Sequence, residues 1–422
     1  MNKKYYKLID ETLYSFKCDN GLEVYLLNKP DYYKTYGIFA TKFGSVNSKF
    51  ISNGKEYSVI DGAAHFLEHK MFEKNDYDVM DKFSSQQASS NAFTSFDKTA
   101  YLFTATNNVN ENIETLLDFV QDLQLTDKSV EKEKPIISSE INMYEDDADW
   151  QLFFQSLQSM YHNNPVKIDI AGTTETISKI TKEDLELYYN NFYHPSNMVL
   201  FICGRFDLAN IEQLIKDNQN KKQFEKIELS NIIVKEPKEV NKKEVIKEMD
   251  VSNTKYMFSF KVNEYVLTPL KQDLAMGILL DALFAKSNNF FQDLLKNQKV
   301  TNHYQYSYTQ DDVNEYAYMQ FGFATDDDKY LTNYLSTFFK QDLTKLIKID
   351  DFNRIKARYT GDFIRMFNNP EGIANTFISY KFDNYDLFNV LNEINDITIE
   401  DLYKLCKLFN LEYSTITKII KK

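Results

Sequence analysis

Two of the five histidines in this 422-residue chain sit four apart with a glutamate between them, in the stretch AAHFLEHKMF from Ala63 to Phe72. Imidazole suits zinc, two ligands one helical turn apart fit a tetrahedral ion, and a carboxylate beside such an ion can take a proton from a bound water. That chemistry requires a helix. On a helix His65, Glu68 and His69 stand at i, i+3 and i+4 and project from one face. The order H-x-x-E-H inverts the metalloprotease motif H-E-x-x-H. Taken alone, the spacing fits equally well two surface histidines and a glutamate making an i,i+3 contact.

A catalytic zinc usually has three protein ligands and one open position, so a third ligand must come from elsewhere. TDKSVEKEKPIISSEINMYEDDADW, from Thr126, begins with capping residues and carries Ile136, Ile137, Ile141 and Tyr144 at helical spacing. Glu133 and Glu140 fall two turns apart on one face of that helix. A carboxylate among isoleucines is costly unless it is paired or bound to a metal, which makes Glu140 the expected third ligand. Glu133 is expected behind it, orienting a histidine or tuning the ion. Pro135 is expected to kink this helix or to begin a new segment, since it cannot donate to the carbonyl of Glu131. His162, His194 and His303 lack ligand spacing and are assigned no role.

The elements that must hold these residues follow a repeated order. LEVYLLNK (22–29) and YGIFATKFGS (36–45) read as strands and as neighbours in one sheet. Asp61 is a candidate N-cap for the histidine helix, whose apolar face is Ala63, Ala64, Phe66, Leu67 and Met71. A strand, turn and helix then run through TAYLFTATNNVNENIETLLDFVQDL, and the same grammar returns from Met198 and from Glu315. The polar stretch 226–250, rich in lysine and glutamate, reads as a linker between two halves of like architecture, 1–225 and 251–422. A surface excursion inside one domain is the alternative.

Composition bounds the rest. With 43% hydrophobic residues the chain can bury a sizeable core, and a formal net charge of −13 works against nucleic acid or an anionic membrane as partner. Cys18, Cys203 and Cys406 are widely spaced without a C-x-x-C pair, which fits a reducing compartment. There is no apolar core to a leader in MNKKYYKLIDETLYSF and no run of about 18 apolar residues, so a cytoplasmic location is expected.

GAAHFLEHKMFEK, SSNAFTSFDKTAYLF, EKEKPIISSEINMYEDD and YHPSNMVLFICG, in this order, resemble the pitrilysin family of inverted-motif (inverzincin) zinc metallopeptidases, most closely its bacterial short forms, which occur as paired subunits. The resemblance implies an α+β fold of two similar halves, each an antiparallel sheet with helices packed on it, the whole forming half of a clamshell around a peptide. It implies that His65, His69 and Glu140 hold Zn2+ and that Glu68 is the general base. It also implies that SSNAF is an edge strand pairing with extended substrate, with Asn91 and Ala92 as substrate contacts. Active members use an arginine and, seven residues on, a tyrosine to bind substrate; the corresponding segment FFQDLLKNQKVTNHYQYSY has no arginine, although Tyr304 or Tyr306 approximates the tyrosine. A guanidinium fork is not replaced by other side chains. The expectation is therefore a zinc endopeptidase subunit, acting on short unfolded peptides, whose homologous partner supplies arginine and tyrosine. The rival is a peptide-binding or assembly subunit that keeps the fold without hydrolysis.

Overall fold

The structure is a computed structural model describing residues 1–74 and 77–422. From the N-terminus β1 (Asn2–Tyr6), β2 (Glu11–Lys17), β3 (Glu23–Asn28) and β4 (Thr35–Thr41) precede a short pair, β5 (Lys49–Ser52) and β6 (Lys55–Ser58). Helices α1 (Ala63–Phe72) and α2 (Val79–Ser85) lead into the hairpin of β7 (Ala88–Thr94) and β8 (Thr99–Ala105). There follow α3 (Val109–Val120), α4 (Asp127–Asp146), α5 (Ala148–Met160), α6 (Thr174–Lys179), α7 (Lys182–Phe192), β9 (Met198–Gly204), α8 (Leu208–Asn220) and β10 (Leu229–Asn231). The second run is β11 (Glu244–Met249), β12 (Thr254–Lys261), α9 (Pro269–Phe284), α10 (Asn289–Lys296), β13 (Tyr304–Asp311), β14 (Tyr316–Thr325) and α11 (Asp328–Phe338). It ends with α12 (Ile349–Met366), α13 (Pro370–Phe382), α14 (Val390–Asp396), α15 (Ile399–Leu405) and β15 (Ser414–Lys421).

The architecture is α+β, and the strand order shows the repeat. Five strands of the larger sheet, β3-β9-β4-β8-β7, recur in the same sense as β11-β15-β12-β14-β13. In each case the last strand in sequence inserts parallel to the first and antiparallel to the second. The strands at 22–29 and 36–45 therefore share a sheet but are not neighbours, because β9 lies between them. Its sequence MVLFICG is buried at every position, and such a strand needs a partner on both sides. Among the described residues the edge strands β7 and β13 each carry one partner.

Two compact units result, and they interleave along the chain. Met1–Ile141, Ile168–Ile233 and Ile364–Phe388 form one; Asn142–Lys167, Val234–Phe363 and Asn389–Lys422 form the other. In the first, α1, α3, α7 and α8 cover one face of the sheet with a core that includes Phe39, Phe66, Leu67, Leu116, Phe192 and Leu200. The other face is covered by α13, where Phe377 stacks on Phe201 at 4.3 Å and Asn375 donates to the Tyr36 hydroxyl at 3.2 Å. In the second unit α5 packs on β12 and β15 through Leu152, Met257 and Ile419. The polar stretch 226–250 contributes a strand near either end, β10 against β5 and β11 against β15.

Helix α1 starts later than the candidate cap. Gly62, not Asp61, is its N-cap, with φ +88°, and an added Cβ there would fall 2.5 Å from the Ala171 carbonyl. Across the same contact Gly172, at φ +74°, brings the Asp61 carbonyl equally close. Two glycines let two loops meet where side chains would part them. Helix α4 continues through Pro135, so no new segment begins there.

Candidate metal centre

His65 and His69 project from α1 toward α4, as i,i+4 spacing dictates. His65 Nε2 lies 3.7 Å from one oxygen of Glu140, and His69 Nε2 lies 3.5 Å from the other. Ligand atoms of these three residues all fall within 4.8 Å of one another. The second nitrogen of His69, Nδ1, donates to Glu133 Oε1 at 3.1 Å. That bond selects the tautomer whose Nε2 lone pair faces Glu140, the arrangement by which a carboxylate orients a metal-binding imidazole. Glu133 and Glu140 reach the histidines together because seven residues make two turns of α4.

Glu68 shares the face. Its Oε2 accepts from the Thr94 hydroxyl at 2.7 Å. Thr94 is placed by the β7–β8 hairpin, opposite Thr99, whose own hydroxyl donates to the Phe43 carbonyl at 2.8 Å. Burial holds the Glu68 carboxyl above its usual range, while the Thr94 bond and His69 oppose the shift. Burial, then the neighbouring His69, pushes His65 well below the ordinary imidazole value, which favours the neutral ligand form. For His69 burial is the largest influence and acts in the same direction, but the Glu133 bond and the charges of Glu68, Glu133 and Glu140 together outweigh it, and the net shift is upward.

The donor set fits a dication. Three carboxylates, Glu68, Glu133 and Glu140, crowd two imidazoles on a largely buried face, a charge balance that an ion would restore. Two imidazole nitrogens and one carboxylate are the ligand types of a catalytic zinc site.

The other residues singled out from sequence lie as follows. Asn91 and Ala92 sit in β7, whose only strand partner among the described residues is β8. The Ala92 N–H is turned from β8 and capped by the Asn91 side-chain oxygen at 2.9 Å. In the second unit the Tyr304 hydroxyl donates to the Phe284 carbonyl at 3.0 Å, and the Tyr306 hydroxyl to Asp281 at 2.5 Å. Two residues were missed by sequence reasoning: Thr94, which needs the hairpin register to reach Glu68, and Lys70, a lysine on the apolar stripe of α1. The second left a signal, since a charged residue among Phe66, Leu67 and Met71 is out of pattern.

Residues 53–174 match the family described as Insulinase (Peptidase family M16), and residues 179–359 match the domain described as Peptidase M16 inactive domain. YmfH of Bacillus subtilis (strain 168), described as an uncharacterized zinc protease, is 42% identical over 99% of this chain and 98% of its own length. A crystal structure of an M16-like peptidase from Alicyclobacillus acidocaldarius superposes with a TM-score of 0.92 at 33% identity, covering 98% of this chain and 99% of that one. A protease from Helicobacter pylori shares the fold, with a TM-score of 0.85 at 19% identity over 97% of this chain and 99% of that one. Among the described residues no helix is long and apolar enough to cross a membrane.

Proposed function

Because this chain belongs to the insulinase family, peptidase family M16, we propose that it is a zinc endopeptidase with His65, His69 and Glu140 as metal ligands and Glu68 as general base. The observation that carries this reading is the convergence of two imidazole nitrogens on both oxygens of Glu140, with the Glu68 carboxylate held beside them. Zinc, when bound there, polarises the scissile carbonyl and lowers the pKa of water. Glu68 takes a proton from the attacking water and returns it to the amide nitrogen as the C–N bond breaks. Glu133 keeps His69 in one tautomer, and Thr94 keeps Glu68 aimed.

The substrate is a short unfolded peptide added as a strand to the free edge of β7, with Asn91 and Ala92 in contact. Backbone pairing of this kind tolerates many sequences. Release of the Ala92 N–H from the Asn91 side chain would free one donor for that pairing. Tyr304 and Tyr306 have their hydroxyls engaged within their own unit, and the segment around them holds no arginine. The reading therefore includes a homologous partner that supplies arginine and tyrosine for the tetrahedral intermediate, where one donor is commonly worth about 2.7–4 kcal/mol. Three free cysteines fit a cytoplasmic setting.

A second reading, a peptide-binding or assembly subunit without hydrolysis, is favoured by the match of residues 179–359 to an inactive domain. Metal analysis and cleavage of a quenched fluorescent peptide library, by the chain alone, with a homologue that carries the arginine and tyrosine, and as Glu68→Gln, separate the two. About one zinc per chain and cleavage only in the mixture, lost in the variant, support the split-site peptidase. Zinc without cleavage in any mixture supports the binding subunit, and cleavage by the chain alone removes the need for a partner.

A further inference from the structure

Lys70 occupies the buried stripe of α1, and its side chain is 0% exposed. An ammonium there is strongly destabilising unless it is fully paired. It donates to the Ser129 carbonyl at 3.2 Å, on the first turns of α4, and pairs with Glu73 at the end of α1. It also stands 3.6 Å from Glu133 Oε2. The other oxygen of that carboxylate, Oε1, is the one that accepts from His69 Nδ1. Glu133 is thus gripped at both oxygens, by an imidazole on one side and an ammonium on the other.

We infer that Lys70 is a positioning residue for the metal centre, holding Glu133 in the one orientation that keeps His69 presenting Nε2 toward Glu140. This rests on the reading that His65, His69 and Glu140 hold zinc, and carries it one residue further from the ion. The physical case is one of freedom and charge. Glutamate has three side-chain torsions, and a carboxylate anchored at a single oxygen can rotate away from its partner; a second anchor removes that freedom. Glu133 is only 13% exposed, so water cannot replace the ammonium well. Glu73 is 42% exposed and can be served by solvent, which makes it a counter-charge for the lysine and leaves Glu133 as the group that depends on it.

The test is the zinc dissociation constant of the metal-free full chain, measured by competition with a chromophoric chelator. It is made on the wild type, Lys70→Met, Lys70→Arg, Glu133→Gln and the Lys70→Met/Glu133→Gln double variant, with 15N spectra of the histidine rings on each. Zinc binding should weaken about tenfold in Lys70→Met, the lower end of what outer partners of metal ligands contribute. Lys70→Arg should recover most of it, and the double variant should bind no more weakly than Glu133→Gln alone. The His69 ring should lose its single-tautomer signature in Lys70→Met and in Glu133→Gln alike. If Lys70→Met does not fold, Lys70→Gln, which keeps a donor for Ser129 without the charge, takes its place with the same expectations. Wild-type zinc affinity in the neutral variants, or losses that add in the double variant, would overturn the inference. A wild-type chain that binds no zinc would overturn the metal reading beneath it, a result distinct from either.

Discussion

In one unit α1 packs beneath the edge strand β7 and faces α4; in the other α9 packs beneath the edge strand β13 and faces α12. The first pair of helices meets through His65, His69 and Glu140. The second meets at Gly277, where an added Cβ would fall 2.6 Å from the Tyr359 hydroxyl, and at Asp281, which accepts from Tyr306 and pairs with Arg358. Between them lies a cavity of about 380 Å3, lined by Asp273, Gly277, Asp281, Tyr306, Tyr308 and Tyr359. The same topology therefore builds a helix-and-edge groove twice. What differs is a few side chains one turn apart: imidazoles among carboxylates in one groove, carboxylates without imidazoles and a glycine filled by tyrosine in the other.

The comparison breaks most visibly at the proposed base. In the mixture with the proposed partner, Glu68→Gln should lower peptide cleavage by about 10²–10⁴-fold at unchanged zinc content, whereas Asp273→Asn in the second groove should change it less than about threefold. Comparable losses in the two variants would mean that both grooves take part in the chemistry. Next in size, His69→Ala should reduce bound zinc from about one per chain to under about a tenth, and Tyr359→Phe should leave it unchanged by metal analysis. Thr94→Val should reduce kcat about tenfold, the scale of a hydrogen bond to a charged group, with zinc content intact and Thr94→Ser close to wild type.

The smallest effect sharpens the comparison from the other side. Burial pushes Asp273 up to about 6, above the range of an exposed aspartate. Its folded form holds the proton more tightly than the unfolded chain does, so stability falls as pH rises from about 4 to about 6. Asp273→Asn removes that penalty. Its thermal midpoint should exceed that of the wild type by a few degrees at about pH 7.5 and converge with it near pH 4. An equal gain at both values would show that the gain does not come from the cost of ionising the buried carboxyl.

Much of the candidate site was legible because its logic is local. Helical spacing puts His65, Glu68 and His69 on one face of α1, the cost of a carboxylate among isoleucines singles out Glu140 on α4, and the structure brings the four together. Thr94 was not legible, since its reach to Glu68 depends on the register of a hairpin 26 residues away. The repeat of strand, turn and helix was visible in the sequence, but the position of β9 between β3 and β4 was not. Sequence neighbours usually pair, and only the need of an all-buried strand for two partners displaces that order. Which sheet an amphipathic helix covers is likewise invisible to periodicity, as α5 and α13 illustrate.

The exchange of those two helices bears on how the chain is made. When Gly204 leaves the ribosome, the first sheet has all its strands, yet Tyr36 and Phe201 still lack the helix that covers them. That helix begins at Pro370, and at roughly 5–20 residues per second its synthesis lags by on the order of ten to thirty seconds. For that interval an apolar sheet face stands open to water and to other nascent chains, so burial of this unit waits on nearly complete translation and a holding chaperone has a defined surface to shield.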